Sequence, residues 1–127
     1  MATSYAAAKY GIPATIVIPE STPKMMISRL ESQKAEVIVH GEMWSVANEK
    51  ALEMAKNDNW LYVPPFDDPL IWEGNGTIIQ ELQNQMQQKP SAIVLSVGGG
   101  GLLCGVLEGL IETKGNVHKV INLVKFN

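Results

Sequence analysis

The chain has 127 residues, 46% of them hydrophobic, with a formal net charge of −3. That is enough for one compact core, roughly one domain, and the acidic balance argues against a nucleic-acid partner, which needs a basic face. One cysteine, Cys104, and two histidines leave no material for an internal disulfide or a cysteine zinc cluster. A reducing, cytoplasmic setting follows as the expectation. No apolar run approaches the roughly 20 residues that cross a bilayer, so no membrane partner is expected.

In chain order, the alanine-rich stretch Met1–Tyr10 reads as a helix already under way, without the basic start and apolar core of a signal peptide. Ala14-Thr-Ile-Val-Ile18 is β-branched, stops at Pro19, and predicts a buried strand. Ser21 and Thr22 before Pro23 predict a capped helix over Lys24–Gln33, with Met25 and Met26 in the core. A second strand is expected at Glu36–Val39, a helix over Met43–Lys56, and a third strand at Trp60–Val63, halted by Pro64-Pro65. Asp67-Asp68-Pro69 opens a helix within Leu70–Gln88 that Pro90 ends. Ala92–Leu95 is a fourth strand, Leu102–Glu112 a helix with Gly115-Asn116 as its stop, and Val117–Val124 a last strand.

Alternating strands and helices with near-continuous apolar strands predict an α/β fold, with parallel sheets and helices on both faces. The double proline and acidic pair at Pro64–Pro69 mark the candidate domain crossing, dividing residues 1–66 from 67–127.

Ser96-Val-Gly-Gly-Gly-Gly-Leu102 carries the chemistry. A strand feeds four glycines, which feed a helix. Glycine lets the backbone bend sharply and approach a ligand, and the first N–H groups of a helix have no partner of their own. With the helix dipole they form an anion site. A nucleotide P-loop would need a lysine after the glycines, and none follows. A Gly-x-Gly-x-x-Gly fingerprint fails too, because its last position falls on Leu103 or Cys104. The loop is thus a neutral cradle, suited to a phosphate held without nucleotide or magnesium. The competing interpretation is a tight strand–helix turn with no ligand, although each glycine costs about 0.5–1 kcal/mol where alanine could have served.

The remaining chemistry-bearing residues have plainer roles. Cys104 reads as a small apolar helix residue, and His40 and His118 as strand-end or loop residues. Asp67 and Asp68 could form an acid–base pair, but capping the next helix is the favoured role. Trp44, Trp60 and Trp72 are expected at domain surfaces or interfaces. Asn75 and Thr77 are weighed as facing an active site, the less favoured of their two roles.

Ser96–Gly105 resembles the phosphate loop of the L-serine dehydratases (L-serine ammonia-lyases), in the serine/threonine dehydratase family of pyridoxal-phosphate enzymes of fold type II. Pro65-Phe-Asp-Asp-Pro-Leu-Ile-Trp-Glu-Gly-Asn-Gly-Thr77 resembles the segment that precedes that loop, and is the more specific mark. Tyr10–Pro19 and Met1–Ala8 resemble an earlier strand and helix, so that the resemblance covers roughly Met1–Gly109. It implies a tryptophan-synthase-β-like fold, with 1–66 part of a small domain and 67–127 the first part of a large cofactor-binding domain. It implies pyridoxal 5'-phosphate on the backbone N–H groups of Gly98, Gly99, Gly100, Gly101 and Leu102. The implied reaction is β-elimination from L-serine to pyruvate and ammonia, in amino-acid catabolism and gluconeogenesis, with L-threonine left open as a second substrate. A cytoplasmic homodimer is the family pattern.

The family's Schiff-base lysine sits in a Ser-x-Lys-x-Arg-Gly motif that this chain does not contain. Ser32-Gln33-Lys34 matches it only superficially. Its Ser-Ser-Gly-Asn-Ala-Gly loop is also missing, and Asn122–Asn127 replaces a Glu-Thr-x-Gly-Ala segment. The chain is therefore expected to be truncated at both ends, to lack a catalytic residue, and to be inactive and poorly stable by itself. Two alternatives stay open: a non-catalytic chain that pairs with full-length subunits, and another fold-type II lyase or racemase.

Overall fold

The computed structural model describes residues 1–114 and 119–123. The elements are α1 (Ala2–Tyr10), β1 (Thr15–Ile18), α2 (Lys24–Ser32), β2 (Glu36–Val39), α3 (Trp44–Asp58), α4 (Pro69–Gln85), β3 (Ala92–Ser96), α5 (Gly101–Glu112) and β4 (Lys119–Leu123). They form two compact units, Met1–Val63 and Pro64–Asn127, each built on its own two-stranded parallel sheet.

In the first unit β1 and β2 pair in register from Thr15↔Glu36 to Ile18↔Val39, with α2 making the crossover that a parallel pair requires. Leu30, Ala35 and Ala47 are its buried apolar residues. Ser4 is fully buried, and its hydroxyl donates to the Met1 carbonyl at 2.8 Å and shares a hydrogen bond with the Gln33 carboxamide. A buried hydroxyl without such partners would destabilise the fold. Left-handed residues end two of the helices: Gly11 (φ 68°) after α1 and Asn59 (φ 55°) after α3. On the exposed side of α3, Lys50 Nζ lies 2.9 Å from the Glu53 carboxylate and, by hydrogen bond and charge, holds its pKa below the ordinary value.

Three local expectations fail here. Trp60–Val63 is not a strand. Leu61 is 89% exposed and Val63 42%, and the Tyr62 hydroxyl is tied to the Asn48 side chain on α3. β-propensity expresses fit to a pleated, half-buried surface, and among the described residues no strand lies beside this segment to supply one. Ser21 and Thr22 do not cap α2. Pro23 is its N-cap residue, with no side-chain cap, and its carbonyl accepts from Met26 N (2.8 Å) and Ile27 N (3.3 Å). Met25 is 60% exposed and lies outside the core, while Met26 and Ile27 are half-buried.

In the second unit β3 pairs with β4 from Ala92↔Lys119 to Ser96↔Leu123. Ile79, Leu95 and Val106 form the buried cluster, drawn from α4, β3 and α5, with Leu82, Ile93, Leu103 and Leu110 packed against it. Asp68 is the N-cap of α4: its carboxylate accepts from Leu70 N at 2.8 Å, and Pro69 occupies the first turn. The helix ends at Gln85, short of Pro90. The Gly115-Asn116 stop and His118 lie outside the described residues.

Helices α4 and α5 meet through glycine. A Cβ on Gly105 would overlap the Trp72 carbonyl and stand 2.5 Å from Asn75 Cβ. One on Gly109 would stand 2.5 Å from the Gly76 carbonyl, and one on Gly76 3.0 Å from the Gly105 carbonyl. The obstructing atoms are mostly backbone, which cannot rotate away.

Gly105→Ala is therefore expected to destabilise the protein by about 1–3 kcal/mol through overpacking. A thermal melt checks it, since each kcal/mol moves Tm by roughly 4–8 °C in a domain of this size. Asp68→Ala should cost about 1 kcal/mol through the lost cap, read in the same way.

Candidate functional site

At the C-terminal end of β3 the chain turns through Val97 and the four glycines into α5. Gly100 is the N-cap residue of α5 with φ 94°, a left-handed value that favours glycine. No side chain caps this helix; the Gly100 carbonyl receives Cys104 N at 2.9 Å, so the first turn begins at once. The leading amides of α5 thus face outward with the positive end of a 12-residue helix behind them.

These amides border a cavity of about 260 Å³ lined by Pro65, Phe66, Asn75, Ser96, Val97, the run Gly98–Gly101, Leu102 and Leu103. With a water molecule occupying roughly 30 Å³ of liquid, there is room for a group of several heavy atoms. None of the lining residues carries a charge. An anion held there would be held by peptide dipoles.

The glycines divide into two kinds. At Gly98 and Gly100 an added Cβ meets nothing within 4 Å. At Gly99 it would overlap the ring of Phe66, and at Gly101 it would stand 2.7 Å from the Phe66 carbonyl oxygen. Gly99 and Gly101 lack side chains because Phe66 is packed there; Gly98 and Gly100 border open space. Phe66 is held in turn, its carbonyl accepting from Trp72 Nε1 at 2.8 Å. From the sequence, all four glycines share one role, Phe66 has none, and Trp72 is expected only at a domain surface or interface. The signal was available in the Pro65–Thr77 run, whose aromatic residues stand next to the cap that starts α4.

The other candidates are dispersed. Asn75 lines the cavity, whereas the Thr77 hydroxyl turns back to donate to the Gly74 carbonyl at 2.9 Å. Asp68 is committed to its cap and Asp67 is exposed. Cys104 is half-buried on α5. In the first unit, Lys34 sits in the turn after α2 with φ 62°, and His40 follows β2, its amide donating to the Ile18 carbonyl at 2.8 Å. Trp44 and Trp60 are about half exposed, at 49% and 51%. Among the described residues no three His, Cys, Asp or Glu side chains gather where a metal ion could sit, and no helix is long and apolar enough to cross a membrane.

Alanine at the two kinds of glycine should behave differently. Gly98→Ala is expected to leave the unfolding free energy within about 0.5 kcal/mol of wild type, as unobstructed surface changes do. Gly99→Ala must displace the Phe66 ring and should cost about 1–3 kcal/mol. Paired denaturant titrations measure the contrast.

Residues 1–124 match the family model described as "Pyridoxal-phosphate dependent enzyme". The L-serine dehydratase/L-threonine deaminase of Bos taurus is 57% identical over 113 residues, which is 88% of this chain and 35% of that protein. The serine dehydratase-like protein of Rattus norvegicus is 53% identical over 112 residues, 88% of this chain and 34% of its own length. Among solved structures, the fungal L-serine ammonia-lyase from Rhizomucor miehei superposes with a TM-score of 0.86 at 38% identity, covering 98% of this chain and 39% of that one. The chain thus spans about a third of the length of the curated relatives it matches. With a family model spanning nearly all of its residues and an α/β, parallel-stranded fold shared with the fungal enzyme, the chain belongs to the pyridoxal-phosphate dependent enzyme family.

Proposed function

We propose that this chain supplies the phosphate-binding third of an L-serine ammonia-lyase, with L-threonine as a second substrate, and that its glycine loop seats the phosphate of pyridoxal 5'-phosphate. The observation that carries this is the uncapped start of α5, opening onto an uncharged cavity of about 260 Å³ beside Gly98 and Gly100. The residues present fit the group: the cavity has volume for a phosphoryl group, outward amides to receive its oxygens, and no carboxylate to repel it. Gly98, Gly99, Gly100, Gly101 and Leu102 would hold it through their backbone N–H groups. When bound, the cofactor supplies the electron sink for elimination at the substrate's β-carbon. The chain's own part is to fix one end of the cofactor and to shield it with Pro65, Phe66, Leu102 and Leu103.

The choice of L-serine and L-threonine rests on the name of the Bos taurus relative, and that of serine also on the name of the Rattus norvegicus one. In the same reading, residues 1–66 belong to a small domain and 67–127 begin a large cofactor-binding domain, in a cytoplasmic homodimer. The sequence holds no Ser-x-Lys-x-Arg-Gly motif, so the chain alone is expected to release no pyruvate from serine.

The test replaces the matching 113-residue stretch of the bovine relative with this chain's sequence. The chimaera should release pyruvate from L-serine in a lactate-dehydrogenase-coupled assay. Adding Gly98→Val, which narrows the cavity, should weaken pyridoxal 5'-phosphate binding at least tenfold in equilibrium dialysis. Racemised serine without pyruvate would favour the racemase alternative, and undiminished cofactor binding in the valine variant would overturn the seat.

A further inference from the structure

The cavity beside the glycine loop has two polar side chains among its lining residues, Asn75 and Ser96. Ser96 is exposed at the end of β3 and offers one hydroxyl. Asn75 is half-buried on α4, one residue before the buried Gly76. Its Cβ stands where a Cβ on Gly105 would come within 2.5 Å, so its backbone is fixed against α5.

The helix geometry aims this side chain. Phe66, just before α4, lies against Gly99 and Gly101, just before and at the start of α5. Farther along, Trp72 and Gly76 face Gly105, and Ile79 faces Gly109. The two helices therefore start at the same end and run alongside each other in the same direction. Every Cα–Cβ bond in a helix tilts toward its N-terminus. Asn75, level with the second turn of α5, consequently leans back toward the glycine loop. Among the described residues its carboxamide has no hydrogen-bond partner. Trp72, one turn earlier on α4, spends its N–H on Phe66, and Thr77 spends its hydroxyl on Gly74.

We propose that the Asn75 carboxamide donates a hydrogen bond to the phosphate group seated on the glycine loop, adding one side-chain donor to a site otherwise made of backbone N–H groups. This rests on the assignment of the loop to a cofactor phosphate. Asparagine suits the task because its NH₂ group brings two donors without a charge. Its carbonyl can turn toward the protein while the donors face the anion. Asn75 is a cofactor-positioning residue of this site.

The test compares pyridoxal 5'-phosphate with pyridoxal, which lacks the phosphate, in equilibrium dialysis against the chain and its Asn75→Ala and Asn75→Asp variants. Binding of the phosphorylated compound should weaken roughly tenfold in Asn75→Ala, the scale of a hydrogen bond to a charged group. It should weaken further in Asn75→Asp, which keeps the shape and turns donors into a negative charge. Pyridoxal binding should be unchanged in both. Equal loss for both compounds would mean that Asn75 acts only through the fold, and no loss for either would mean that it plays no part; each overturns the proposal. Asp is nearly isosteric, so Asn75→Asp serves if Asn75→Ala does not fold. Wild type is measured first: if it binds both compounds alike, the phosphate seat itself fails and the role of Asn75 falls with it. A wild-type preference for the phosphate that survives both substitutions overturns Asn75 alone.

Discussion

Phe66 packed against Gly99 and Gly101 is the contact on which the site depends. A loop of four glycines has little reason to hold one shape, because each residue reaches backbone conformations closed to others. Here an aromatic ring and its own carbonyl occupy the places where two side chains would have been. The Trp72 indole fixes that carbonyl, and the Asp68 cap fixes the start of the helix that carries Trp72. The flexible element is thus shaped from outside, by the segment that precedes α4. The cavity lies where the constraint stops, beside the glycines at which an added Cβ would meet nothing.

The glycine contact between α4 and α5 serves the same end. Gly76, Gly105 and Gly109 let the two helices approach backbone to backbone, closer than side chains would allow. The leading amides of α5 are in this way indexed to α4, and through α4 to Phe66. Ile79, Leu95 and Val106 bury themselves beneath this frame. They supply the apolar burial that keeps the frame together, while the glycines decide its geometry.

Much of this was legible in the sequence, and the failures have physical causes. The β-branched runs Thr15–Ile18 and Ala92–Leu95 and the strand–helix alternation were read correctly, since parallel strands in an α/β fold are continuous apolar runs. The start of α4 was readable because Asp68 and Pro69 act locally, within one turn. Trp60–Val63 misled because a strand needs a neighbour, and a neighbour is not written in the strand's own residues. Met25 misled because helical spacing gives a face but not its limits. The glycine loop was visible as a loop. Its division into packed and open residues was not, since Phe66 lies more than thirty positions away in the chain and reaches Gly99 only through the fold.

A receptor surface composed of peptide amides has nothing to trim. Truncating side chains one at a time, the usual way of finding where a ligand sits, would pass over residues 98–101 without a signal, because they are already smaller than the probe. Such a surface is disclosed by bulk added rather than bulk removed. It also ages differently: damage to it must arrive as an intruding methyl or larger group, so almost any change of residue there is an obstruction, and drift can accumulate only on the outward faces of the helices that frame it.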